Sequence, residues 1–186
     1  MANKDAAFDL KATGKVGQNR DNQGLSEYSI AASATAIYQW DPVEMLATGT
    51  IGVAAAGDVL LGSLNGVFYT DASTSKPTWA NHLAASNTAT DIVGFVADDP
   101  YERFEVQSAG TVAQTNIGNC ADIVYAAGAT PNYISKVEIS GTMADTAAQL
   151  KIIGVSKDPD NNELGAANAN VIVTIAEHFL TQTAGI

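Results

Sequence analysis

Short apolar runs, each interrupted by turn-forming residues before three helical turns could form, constrain this chain more than any other feature. Arg103-Phe104-Glu105-Val106-Gln107 alternates polar and apolar side chains, as does Lys136-Val137-Glu138-Ile139-Ser140. Period-two alternation marks a strand with one wet face, so Phe104 and Val106 are expected to point inward, and Glu105 and Gln107 outward. Other runs are apolar at successive positions: Val59 to Leu61, Ile92 to Val96, Ile152 to Val155 and Val171 to Ile175. Their shortness and β-branched content predict strands buried on both faces. Gly57-Asp58, Asn65-Gly66, Asp98-Asp99-Pro100, Gly128 to Asn132 and Asp158 to Asn162 read as the turns between them. The predicted fold is mainly β, a β-barrel or β-tulip-like core. At most two short helices are expected, around Thr78 to Ala85 and Thr142 to Leu150, the latter with Thr142 as N-cap.

The first 45 residues read differently. Lys11 to Gly24 is rich in Gly, Asn, Gln and Asp and nearly free of large apolar side chains. Such a stretch cannot offset its ordering entropy alone. Residues 1–45 are therefore expected to form an extended N-terminal arm, and residues 46–186 the β domain. Ser26 to Trp40 reads as an extended strand or a poor helix, and Asp41-Pro42 ends any helix there. Within the β domain there is an internal echo. Ile92 to Val96, Asp99-Pro100 and Phe104 to Val106 match Ile152 to Val155, Asp158-Pro159 and Val171 to Val173 in order. A pseudo-repeat within one barrel would produce it.

A chain of 186 residues buries roughly 70% of its unfolded surface, enough to be stable without staples. The one cysteine, Cys120, cannot form an internal disulfide, which fits folding in a reducing compartment. The first eight residues lack the apolar run of a signal peptide, and no uninterrupted apolar stretch approaches the roughly 20 residues a bilayer requires. The sequence thus predicts a soluble chain with no membrane partner. Its net charge of −11 arises from only nine Lys and Arg, scattered along the chain. A nucleic-acid partner needs clustered cations, so none is expected.

Catalytic and metal chemistry should appear as converging groups. His82 and His178 have no shared spacing, Cys120 has no CxxC partner, and Ser63 and Ser140 sit in no GxSxG elbow. The glycines form neither phosphate-binding motif. Asp98, Asp99, Glu102 and Glu105 offer an acid/base pair, but Asp-Asp-Pro reads first as a turn. Asp158-Pro159-Asp160-Asn161-Asn162 has the first three spaced oxygens of a calcium loop. Glu163 then stands where that loop needs glycine, and Ala169 where it needs its bidentate glutamate. A solvated hairpin loop is the expected reading. No catalytic, cofactor-binding or metal residue is predicted, and the chain is expected not to be an enzyme.

The opening Met1 to Phe8, Trp40-Asp41-Pro42-Val43, Gly57-Asp58, Asp99-Pro100 leading to Phe104-Glu105-Val106-Gln107, Ile117-Gly118-Asn119 before Asp122-Ile123-Val124, and Asp158-Pro159-Asp160-Asn161 occur in an order and spacing that resembles structural proteins of tailed phages. The resemblance runs nearly end to end, and is to the capsid decoration or cement proteins. It departs from them at Asp9 to Thr13. It implies a barrel or tulip core, a homotrimer made in the host cytoplasm, and a place on the outer capsid surface bridging major capsid protein subunits. An acidic surface suits that exterior better than a DNA-lined interior. Phe8, Leu10, Tyr28, Ile30 and Trp40 are the expected apolar anchors of the arm on a neighbouring subunit or the capsid. A tail or fibre component is the alternative, although the long repeats or heptads common in fibres are absent. A lyase or hydrolase on a β scaffold is the second rival, and it lacks a recognisable site.

Overall fold

The structure, a computed structural model, describes residues 2–17, 24–144 and 146–183. Its elements in chain order are strands β1 (Lys11–Lys15), β2 (Ser26–Ser29), β3 (Pro42–Met45), β4 (Ile51–Val53), β5 (Gly62–Thr70), β6 (Pro77–Ala80), β7 (Val93–Ala97) and β8 (Glu102–Gln107). They continue with β9 (Cys120–Ala121), β10 (Ile123–Val124), β11 (Glu138–Ile139), β12 (Leu150–Val155) and β13 (Asn170–Ile175). Among the described residues, helix is confined to single 3-10 turns at Gln114–Asn116 and Phe179–Thr181.

The protein is mainly β, and its strand pairs are antiparallel. One sheet runs β1-β8-β13-β12-β9; a second runs β2-β7-β5-β3-β4, with β6 also on β5; β10 and β11 form a separate pair. Both larger sheets are open, ending on β1 and β9 in the first and on β2 and β4 in the second.

Each larger sheet has its own core. In the first, Phe104 lies opposite Val173, Val106 opposite Val171, and Leu150 opposite Ile175. All six belong to one buried apolar cluster, which Leu10, Ile123, Val137 and Ile139 complete. In the second, Leu64 faces Val96, and Ile30, Ile37, Val43, Ile51, Leu61, Leu83 and Ile92 close around them. Gly94 lies at the centre of that core, where a Cβ would come within 3.0 Å of both Ile30 and Ile51 Cδ1. Gln149 ties the halves together: its buried amide donates to the carbonyls of Ala55 and Asp58, both at 2.8 Å, and accepts from the Ile123 N–H at 3.0 Å.

Several expectations are corrected. Thr78 to Ala85 is not helical: Pro77–Ala80 pairs with β5 because Trp79 and Phe68 form a cross-strand aromatic pair. Thr142 to Leu150 is not helical either over its described residues; Ala144 bridges Cys120, and Leu150 already begins β12. Asn65-Gly66 is not a turn but a bulge inside β5, where the register shifts between Leu64 and Gly66. The echo is not a structural repeat. β7 and β8 belong to different sheets, whereas β12 and β13 are hairpin neighbours in one.

Of the runs expected to be buried on both faces, Leu60 and Leu61 are both fully buried, one in each core, whereas the strands β12 and β13 are fully covered on one face only. Ile152 and Val173 are buried, but Ile153 is 39% exposed and Ile172 is half-buried. In β8, Phe104 and Val106 point inward and Glu105 is half-buried, as the alternation predicts. Gln107 does not point out; it is buried beneath the N-terminal segment.

The described residues among the first 45 are woven into both sheets. β1 is an edge strand on β8, β2 an edge strand on β7, and β3 pairs with both β4 and β5. The chain therefore has no break at residue 45. Residues 18–23 of the expected arm lie outside the described residues.

Candidate functional site

The acidic stretch after β7 holds the N-terminal segment. Asp98 accepts from the Ser26 hydroxyl at 2.9 Å and the Tyr28 hydroxyl at 2.6 Å. Asp99 pairs with Lys15 and accepts from the Tyr101 N–H at 2.8 Å. Glu102 accepts from the Gly14 N–H at 3.2 Å, and Glu105 from the Ser156 hydroxyl. The Lys15 hydrogen bond holds the Asp99 carboxyl below its usual range, while burial raises that of Glu102. Nearby His178 is buried, its Nδ1 accepting from the Leu180 N–H at 3.1 Å, and burial lowers its basicity. These four carboxylates are clasps committed to neighbouring segments.

A second clasp seats residues 3–6 on the β12–β13 connection. The Asn3 amide donates to the carbonyls of Glu163 at 3.0 Å and Ala167 at 2.8 Å, and accepts from the Glu163 N–H at 3.1 Å. Asn161, nearly fully buried, donates to the Lys4 carbonyl at 2.7 Å and accepts from the Lys4 N–H at 3.3 Å. Gln107 donates to the same Lys4 carbonyl at 2.9 Å and accepts from the Ala6 N–H at 2.9 Å. The Lys4 ammonium pairs with Asp160, and Asp158 accepts from the Asp160 N–H at 3.0 Å. The loop considered for calcium is thus a turn that receives the chain's own N-terminal segment. Among the described residues, no group of three or more His, Cys, Asp or Glu side chains is gathered as a metal would require.

Beyond residue 8 the segment carries a carboxyl into the interior. Asp9 and Asp41 are both fully buried. Asp9 Oδ1 accepts from the Leu10 N–H at 2.5 Å and Asp41 Oδ2 from the Tyr38 N–H at 2.7 Å. Asp9 Oδ2 and Asp41 Oδ1 have no hydrogen-bond partner. Burial raises the Asp41 carboxyl to about 6, against the opposing pull of the Ser135 hydroxyl and the Tyr38 N–H. Burial, followed by the Asp41 charge, pushes Asp9 well above the carboxylate range. Asp9 and Trp40 both have left-handed backbone, φ 69°; an aspartate tolerates this readily, whereas a tryptophan does so only when its surroundings enforce it.

The five expected anchors separate into two groups. Leu10 and Ile30 lie in the two cores and are committed within the chain. Phe8, Tyr28 and Trp40 are half-buried. Phe8 lines a cavity of about 220 Å³ against Thr130, Pro131 and Ser135. Trp40 lies beneath the Lys11 ammonium, 5.8 Å from the ring centroid, and Tyr28 is held by Asp98.

An exposed aromatic cluster lies elsewhere and was not anticipated. On the outer face of the second sheet, Trp79 is 56% and Phe68 40% exposed, with half-buried Val93 and Phe95 beside them. The Trp79 and Phe95 rings pack at 4.6 Å between centroids. Gly66 makes the room, since a Cβ there would come within 3.0 Å of Trp79 Cζ2. Ile92 to Val96 was expected to be buried on both faces, which hid the exposed side of Val93 and Phe95, and the helical reading of Thr78 to Ala85 hid Trp79. The comparisons add no assignment: the chain matches no protein-family model, no curated protein and no solved structure.

Proposed function

We propose that this chain is a virion structural subunit that decorates the outer surface of a phage capsid and stabilises the shell by bridging major capsid protein subunits. One observation carries the reading. The outer faces of the sheets leave the large apolar side chains Trp79, Phe68 and Ile153 exposed to water. Large exposed aromatics clustered on a rigid sheet are what a permanent protein contact uses, since they bring much contact area at low side-chain entropy cost. Further support comes from the ordered resemblance to decoration proteins. The carboxylates that offered an acid/base pair as the lesser reading are occupied in holding strands together. A non-enzymatic role and a homotrimer belong to this proposal, as does a tulip-like splaying of the two open sheets. Quantitative mass spectrometry and electron microscopy of the parent particles test it. High copy number over the whole shell is expected. Confinement to one vertex or to the tail would overturn it.

A further inference from the structure

We propose that Asp9 and Asp41, buried beside Ser135, form a proton-held lock that keeps the N-terminal segment in its seat and releases it when the proton they hold is lost. Three chain segments meet at this point. Asp9 follows the stretch clasped by Gln107 and Asn161, Asp41 directly precedes β3, and Ser135, in the loop before β11, donates its N–H to the Gln39 carbonyl at 3.0 Å and lines one cavity with Phe8. All three residues are fully buried.

The groups facing the pair offer no compensating cation. Around Asp9 these are Asp41, the Ser135 hydroxyl and the Leu10 N–H; around Asp41 they are Ser135 and the Tyr38 N–H. The Tyr125 phenol is pushed up to about 12 by its own burial and then by Asp41, Tyr38 and Asp9. Lys11, the nearest cation in sequence, lies over Trp40. Two buried like charges with unpartnered oxygens would repel at close range in a poorly solvating interior. One proton removes both problems. On Asp9 Oδ2 it turns an orphan acceptor into a donor beside a carboxylate whose Oδ1 also lacks a partner.

When that proton leaves for bulk solvent, the cheapest relief is to move one carboxylate into water. Asp41 cannot move easily, because β3 is paired on both sides. Asp9 lies in a segment whose outer hold consists of side-chain hydrogen bonds and the exposed Lys4–Asp160 pair, so residues 2–9, short of the core residue Leu10, are the part that comes away. The sign follows from the raised carboxyls. The lock is complete below the ordinary aspartate range and is lost as pH rises through the raised values.

Hydrogen exchange of the full chain, corrected for intrinsic exchange and followed from about pH 5 to about pH 9, reads the lock directly. In the wild type, protection of the Lys4, Ala6 and Leu10 N–H groups, which Asn161, Gln107 and Asp9 hold, should fall by about tenfold or more as pH rises, while β1 and the β12–β13 hairpin stay protected. In Asp9→Asn, whose amide can donate to Asp41 in place of the proton, protection should persist across the range. Equal pH dependence in wild type and D9N, or none in the wild type, would overturn the proposal. Carboxyl-carbon NMR titration of the unaltered protein keeps the test decisive if the variant fails to fold. Asp9 and Asp41 titrating in the ordinary range would also overturn it.

Discussion

At the residue scale the tightest constraints are volumes that nothing else can occupy. Phe104 is fully buried against Val173 on β13, so Phe104→Ala should cost about 3–5 kcal/mol in urea unfolding. Glu105→Gln, on the half-buried opposite face, should cost less than about 0.5 kcal/mol. Gly62 is stricter in kind. A Cβ there would lie 2.1 Å from the Ala97 carbonyl oxygen, a backbone atom with no room to yield, so Gly62→Ala should cost about 3 kcal/mol or more by the same measurement. Phe104 and Val106 were legible because one strand with one buried face leaves period two no second solution. Gln107 was not legible. Its burial depends on Lys4 and Ala6, over 100 positions away, and no local pattern encodes that contact.

At the element scale, the N-terminal segment shows where local reading stops. Its Gly, Asn and Gln content read as an extended arm apart from the β domain. What composition cannot state is that β8 and β7 supply free edges for it, or that Leu10 reaches the first core. Leu10→Ala should therefore cost about 2–5 kcal/mol. A chain starting after residue 17 should lose at least as much, because β1 leaves with it and β8 becomes the exposed edge. Differential scanning fluorimetry checks both; an unchanged melting temperature on truncation would mean that the segment is only draped on the surface. The β6 error has a related cause. Eight residues starting near a proline carry no period to read, and the Phe68–Trp79 pairing that decides the matter is a tertiary fact.

At the scale of the whole molecule, two features pull on assembly in opposite directions. The outer sheet face carries Trp79 and Phe68 in water, which favours association, while each copy carries a net charge of −11, which opposes it. Repulsion between such copies is spread over their surfaces and is screened as the Debye length shrinks from about 30 Å at 0.01 M salt to about 10 Å at 0.1 M. The apolar contact is not weakened by that change. If the aromatic face is the subunit contact, the trimer fraction measured by light scattering after size exclusion should rise with salt over this range. Trp79→Lys should yield a monomer at every salt concentration, with unfolding stability changed by less than about 1 kcal/mol, because that ring fills no core position. Contacts built from ion pairs would respond in the opposite sense, so a trimer that dissociates as salt rises would move the interface away from Trp79 and onto the charged edges of the sheets.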